Sequence, residues 1–305
     1  MTAGAARAGM AGLRPARGLA LPPLALMSAA LLAALALLAL AAPLVAAALG
    51  TAPDAVDLLR RLAPSSPDHP LGTDALGRDL LLRLLYAGRI SLGLGLAVAL
   101  LAALIGTGIG LASGYVGGRW DEFLMRATDG VIALPLLPLL IVLAAVDPAK
   151  LGLAPEFTAS PIYAVGRIGI LIALVGWTTV ARLVRGAALS LKEREFVRAA
   201  QALGASPARI MLRHILPNLM RPLIVAVTLS VGNIILLESV LSFLGFGVMP
   251  PAPSWGNMLT GAEALIWSAP AQAVWPGLAI FATVMACNLL GDGLQERFDP
   301  RASGA

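Results

Sequence analysis

Six long apolar stretches, separated by short polar ones, divide the chain at 24–49, 90–115, 122–146, 168–184, 223–246 and 271–290. A helix rises about 1.5 Å per residue, so runs of this length cross the roughly 30 Å hydrocarbon core of a bilayer. The pattern predicts an all-α membrane protein with six transmembrane helices. The first stretch is nearly continuous Ala and Leu and exceeds the apolar core of a signal peptide, so it reads as an uncleaved anchor. Gly106, Gly110 and Gly114 recur every four residues in the second, a bare face that allows close helix contact. Pro135 and Pro138 break the middle of the third.

The polar stretches carry the rest of the plan. Residues 1–20 form an Arg-containing tail and 21–50 the anchor. Residues 51–89 form an outer segment in which Asp54, Asp57, Asp68, Asp74 and Asp79 face Arg60, Arg61, Arg78, Arg83 and Arg89. Within it Thr73 or Asp74 is expected to cap a short amphipathic helix over 80–86, lying along the membrane surface. A five-helix core spans 90–291, includes a loop at 187–217, and is followed by a tail at 292–305. The loop is a charged island. Phe196, Ala199, Ala200 and Leu203 fall at helical spacing on one face and Gly204 follows as a stop. Ser206 then serves as an N-cap with Pro207 at the first helical position, Arg209 and Arg213 stand one turn apart, and Pro217 ends the second helix. Two short helices at a Gly-Ala-Ser-Pro elbow make a stiff knuckle suited to another protein's groove.

With 13% charged residues over 305 positions and a mean hydropathy of +0.85, the chain is too apolar for a soluble domain. Its net charge of +5 reflects a positive-inside bias and no nucleic-acid surface, because the arginines lie between apolar spans. An inward N-terminus places fifteen of the 22 lysines and arginines inside, together with the 187–217 loop. Cys287 stands alone in an apolar run, so no disulfide framework arises. With His69 and His214 besides, no metal site is expected; Asp68, His69, Asp74 and Asp79 read as caps and ion pairs.

Nucleotide chemistry needs a Gly-rich loop ending in Lys-Ser or Lys-Thr. The two lysines, Lys150 before Leu151 and Lys192 before Glu193, end no such loop. No catalytic residues and no cofactor of the chain's own are expected. Asp129 and Glu238 lie inside apolar spans, where a charge costs about 2.5–3.5 kcal/mol. Glu238, with Asn233 nearby, is the candidate for a translocation path; pairing with another helix or with a partner chain is the alternative.

Arg198-Ala199-Ala200, then Gly204 and Leu216-Pro217, resemble the EAA loop of ABC-importer permeases, with Arg198 where that pattern has Glu and His214 where it has its first Ile. His69-Pro70-Leu71-Gly72-Thr73-Asp74 through Arg78-Asp79, and Glu238 through Gly247 with Pro253-Ser254-Trp255-Gly256, resemble the dipeptide, oligopeptide and nickel branch of those permeases. Together with the Gly291 to Arg301 tail, the resemblance covers about residues 69–301. It implies a six-span permease core whose loop forms coupling helices seated in an ATP-binding subunit. Arg198, Ala199, Ala200, Gly204, Arg209, Arg213 and Pro217 are then the contact residues.

The resemblance also implies a non-enzymatic subunit of an importer of di- or oligopeptides in the bacterial inner membrane, with both termini cytoplasmic. Its partners are a second permease subunit in a heterodimer, two cytoplasmic ATP-binding subunits that hold ATP and Mg, an extracytoplasmic binding protein, and membrane lipid. Alternatives are nickel, an opine or another small solute as cargo, and, from other classes, a secondary carrier or channel acting alone or a membrane scaffold.

Overall fold

A computed structural model describes residues 21–298, apart from 153 and 159. The expected tail at 1–20 and the end of the expected tail at 292–305 lie outside the described residues. The helices are α1 (Pro23–Leu40), α2 (Ala42–Leu49), α3 (Leu80–Val116), α4 (Gly118–Ala133), α5 (Leu136–Ala144), α6 (Pro155–Thr158), α7 (Pro161–Lys192), α8 (Glu195–Ala202), α9 (Pro207–Ile210), α10 (Leu216–Phe243), α11 (Trp255–Met258) and α12 (Ala271–Phe298).

Among the described residues five helical stretches are long and apolar enough to cross a membrane: α1, α3, most of α7, Pro207–Phe243 and α12. A sixth exists if α4 and α5 count as one span, and these two meet at 85°. Pro135 produces the bend. Its ring disfavours helical geometry in the residue before it, and Leu134 accordingly takes an extended conformation, with φ −78° and ψ 138°. Pro135 does more than kink a straight crossing: it turns the chain nearly at a right angle, while Pro138 sits in the first turn of α5.

The short surface helix expected at 80–86 is not a separate element. It is the first two turns of α3, which runs unbroken for 37 residues, because Asp79 rather than Thr73 or Asp74 takes the cap and accepts from the Leu82 N–H at 2.8 Å. At about 1.5 Å per residue α3 is roughly 55 Å long, so its ends extend beyond a hydrocarbon core. The last helix likewise continues past the apolar stretch to Phe298.

The glycine face of α3 meets α7. A Cβ built on Gly106 would lie 2.6 Å from the Trp177 carbonyl oxygen, one on Gly110 2.6 Å from that of Ala181, and one on Gly114 2.8 Å from that of Arg185. Backbone therefore approaches backbone for more than two turns, as the four-residue spacing predicts. α10 packs against α3 and α12, and α12 against α1. Cys287 of α12 is buried beside Gly232 of α10, a small residue filling a small gap.

Candidate functional site

The 193–217 loop is held at one end of the bundle by a single apolar cluster. Val197 and Ala200 of α8 and Ile210 of α9 pack with Leu111 and Tyr115 of α3, Val184 of α7 and Leu219 of α10. The elbow follows from local chemistry. Gly204 adopts φ +79°, a region that side-chain-bearing residues avoid. Its N–H donates to the Gln201 carbonyl at 2.9 Å, and the Ala205 N–H donates to the Ala200 carbonyl at 3.0 Å, the paired bonds of a Schellman stop. Ser206 then accepts from the Arg209 N–H and opens α9.

The structure divides the face expected on α8. Ala200 turns inward with Val197, while Phe196, Ala199 and Leu203 point outward, Phe196 42% and Leu203 88% exposed. Spacings of three and four residues keep those three on one helix face. Arg198, Gly204, Arg209, Arg213 and Pro217 are exposed as well. Arg198 pairs with Glu193 at 2.6 Å, a solvent-facing contact of little energetic weight.

Pro217 does not end the second helix. Helix continues from Pro207 to Phe243 through a π-type turn at Met211–Ile215, closed by the Leu216 N–H on the Met211 carbonyl. Proline has no N–H to give and its ring crowds the carbonyl four residues back. The wider turn accommodates this, and the Asn218 side chain donates to the His214 carbonyl at 2.7 Å.

Tyr115, in the last turn of α3 and 8% exposed, meets the loop in three ways. The Lys192 ammonium donates to its carbonyl at 2.7 Å and lies 5.6 Å from the centre of its ring. The Gln201 amide of α8 donates to its hydroxyl at 3.3 Å. Nothing in the spacing of the sequence pointed to Tyr115, because its partners stand 77 and 86 residues away.

Beside this end of the bundle, α4 is fastened to α7 by charge. Arg185 holds Asp121, which also accepts from the Ser113 hydroxyl, and Arg182 reaches Asp129 at 2.5 Å. The charge at Asp129, unexplained in the sequence, thus has an opposite charge on the neighbouring helix, as intramembrane ionisable groups require.

Glu238 and Asn233 do not come together. Asn233 is exposed, whereas Glu238 is 1% exposed, with its carboxylate accepting from Ser242 at 2.6 Å and from Ser91 of α3 at 3.4 Å. Both serines accept in turn from the chain beyond α10: Val248 N–H to Ser242 at 2.9 Å and Trp255 N–H to Ser91 at 3.2 Å. The Trp255 indole N–H donates to the Leu84 carbonyl at 3.0 Å. Ser254 and Asn257 close a reciprocal capping box that fixes α11. The 248–258 turn therefore folds back between α3 and α10 and covers Glu238.

The 51–79 segment is built around its aspartates. Asp74 accepts from the Leu76 and Arg78 N–H groups and from the Arg78 guanidinium at 2.7 Å, with Arg83 at 3.5 Å. Asp79 adds the His69 ring at 2.8 Å to its cap. The Arg60 guanidinium, which can only donate, sits 3.2 Å from His69 Nε2, so the ring proton lies on Nδ1 toward Asp79. Among the described residues no group of three or more His, Cys, Asp or Glu is placed to hold a metal ion.

Residues 105–304 match the family profile described as the binding-protein-dependent transport system inner membrane component. The chain is 42% identical over 253 residues to a protein named as a peptide permease in Brucella suis biovar 1, covering 82% of this chain and 79% of that one. It is 39% identical over 248 residues to the nickel transport system permease protein of Escherichia coli K12, covering 81% and 84%. To a glutathione transport system permease protein of Escherichia coli O6:K15:H31 it is 40% identical over 239 residues, covering 78% and 74%.

Proposed function

Because the chain belongs to the binding-protein-dependent transport system inner membrane components and is a permease subunit of an ABC importer, we propose that the α8–α9 elbow is the surface on which a partner ATP-binding subunit sits. The family sets aside a carrier acting alone and an enzymatic role. It places the chain in the inner membrane and calls for an ATPase and a binding protein as partners.

The observation that carries the proposal is the outward face of α8. Phe196, Ala199 and Leu203 leave an apolar strip open on a helix whose other face is locked into the bundle, and exposed Arg198, Arg209 and Arg213 lie near it. A groove with apolar floor and acidic rim would match this surface. Gly204 sets the angle of the elbow, Ala200 seats α8 on the bundle, and Pro217 belongs to the turn that carries α9 into α10.

This subunit pairs with a second permease in a heterodimer over two ATP-binding subunits, with both termini cytoplasmic and the 51–79 segment on the side of the binding protein. Asn233 borders the translocation path. Glu238 would meet a solute only when the 248–258 turn moves away from α10. Di- or oligopeptides are the proposed cargo, supported by the Brucella relative. Nickel or another small solute is the second reading, favoured by the similar identity of the Escherichia coli nickel relative.

The test of the docking surface is Leu203→Asp in the chain purified from native membranes. Expected is loss of the co-purifying ATP-binding subunit with the variant inserted at the normal level; full retention of that subunit would overturn the assignment. Cargo is tested separately, by binding-protein-dependent uptake of a labelled dipeptide against nickel ions.

A further inference from the structure

We propose that Tyr115 is a positioning residue for transport: the joint through which a displacement of the α7–α8 junction, from Lys192 to Gln201, reaches α3. This rests on α8 being the ATPase-docking helix. The covalent path from that helix leads to α7 on one side and, through α9 and the π-type turn, to α10 on the other. α3 is connected to neither end of the loop. Yet α3 organises contacts at the far end of the bundle, where its cap Asp79 holds His69, its Arg83 meets Asp74, and its Ser91 and Leu84 receive Trp255.

Beside the apolar packing of Leu111, the hydrogen bonds that tie α3 to this junction among the described residues fall on Tyr115. Lys192, the last residue of α7, grips its backbone carbonyl and covers its ring, and Gln201 of α8 holds its hydroxyl. A carbonyl in the last turn of a helix has no partner within that helix, so the Lys192 ammonium takes an otherwise open acceptor at the negative end of α3. The Lys192 and Gln201 contacts pull on opposite ends of one residue, backbone and phenol. A movement of the α7–α8 junction then turns or draws the end of α3 through both contacts.

The experiment uses the whole transporter with a Cys287→Ser chain carrying spin labels at Leu104→Cys on α3 and Phe281→Cys on α12, both on exposed faces. The distance between the labels is measured without nucleotide and after trapping with ATP and vanadate. Expected is a shift on trapping in the parent. Lys192→Met should abolish the shift while the resting distance and the amount of trapped nucleotide stay the same. Lys192→Arg, which keeps the cation and its donors, should restore it, and Tyr115→Phe, which frees Gln201 alone, should reduce it. A residue of merely structural importance would alter the resting distance or the trapped amount and leave the shift. The proposal is overturned by an undiminished shift in Lys192→Met, by no shift in the parent, or by loss of the ATP-binding subunit from Lys192→Met. Failure of the docking reading is seen elsewhere, as retention of that subunit by Leu203→Asp.

Discussion

Arg185 on α7 holds both carboxylate oxygens of Asp121 on α4, at 2.6 and 2.7 Å, across 64 residues of chain. The Ser113 hydroxyl of α3 donates to the same carboxylate, so three helices meet at one acidic side chain. The pair is partly open to solvent, which limits its strength. Asp121→Asn should destabilise the chain by about 1 kcal/mol, read as a lowered midpoint on heating in detergent. Glu122→Gln, which removes only the exposed pair with Arg126, should stay within about 0.5 kcal/mol. Equal losses in the two variants would show that the bidentate contact has no special weight.

Two glycines of the same helix give a sharper contrast. A Cβ on Gly110 would meet the Ala181 carbonyl at 2.6 Å, while one on Gly108 meets nothing within 4 Å. Gly110→Ala must push α3 and α7 apart and should cost about 1–3 kcal/mol. Gly108→Ala should gain about 0.4–1 kcal/mol by stiffening the unfolded chain. Thermal midpoints of the two variants check this, and a loss at both positions would contradict the packing described.

Glu238 is a test of burial. Removing its carboxylate leaves the Ser242 and Ser91 hydroxyls without their acceptor and opens a cavity, so Glu238→Ala should cost about 2–4 kcal/mol. Glu238→Gln keeps a carbonyl for Ser242 and should cost about 1 kcal/mol. Protease cutting within 248–258 should rise in the Ala variant first, since that turn lies over the carboxylate. Unchanged cutting there would separate Glu238 from the turn.

The cap of α3 admits a similar dissection. Asn caps helices as well as Asp does, so Asp79→Asn should spare the helix start and weaken only the contact with His69. Asp79→Ala loses both and should cost about 1–2 kcal/mol. Hydrogen exchange at Leu82 reports the cap: faster exchange in Ala but not in Asn is the expected result, and equal rates in both would reject it.

The features that sequence made legible are those governed by neighbours. Apolar length marked the spans, the Gly106-Gly110-Gly114 spacing marked the α3–α7 contact, and Gly204 and Ser206 marked the stop and start of the elbow, because each depends on a few adjacent residues. Local rules misplaced what depends on competition or distance. Three polar residues could cap α3, and only the fold of 51–79 assigns Thr73 to the Ala63 N–H, Asp74 to its own turn and Asp79 to the helix. Pro135 announced a break without its angle. Inside the candidate site, the outward turn of Phe196 and Leu203 follows from which face of α8 fits the cluster. Tyr115 and the Ser91–Glu238–Trp255 knot join residues too far apart for any spacing to show.

The π-type turn at Met211–Ile215 has a geometric effect on everything that precedes it. Such a turn holds one residue more than the α-helical repeat, and each residue of a helix represents about 100° of rotation. Arg209 and the elbow are thereby set at a different azimuth around the axis of α10 than a regular helix would give them. A chain shortened by one residue there would keep its spans and still present the wrong side of the elbow to the ATP-binding subunit proposed to dock on it. The bearing of the elbow is fixed by the phase of a helix as much as by the residues on its surface.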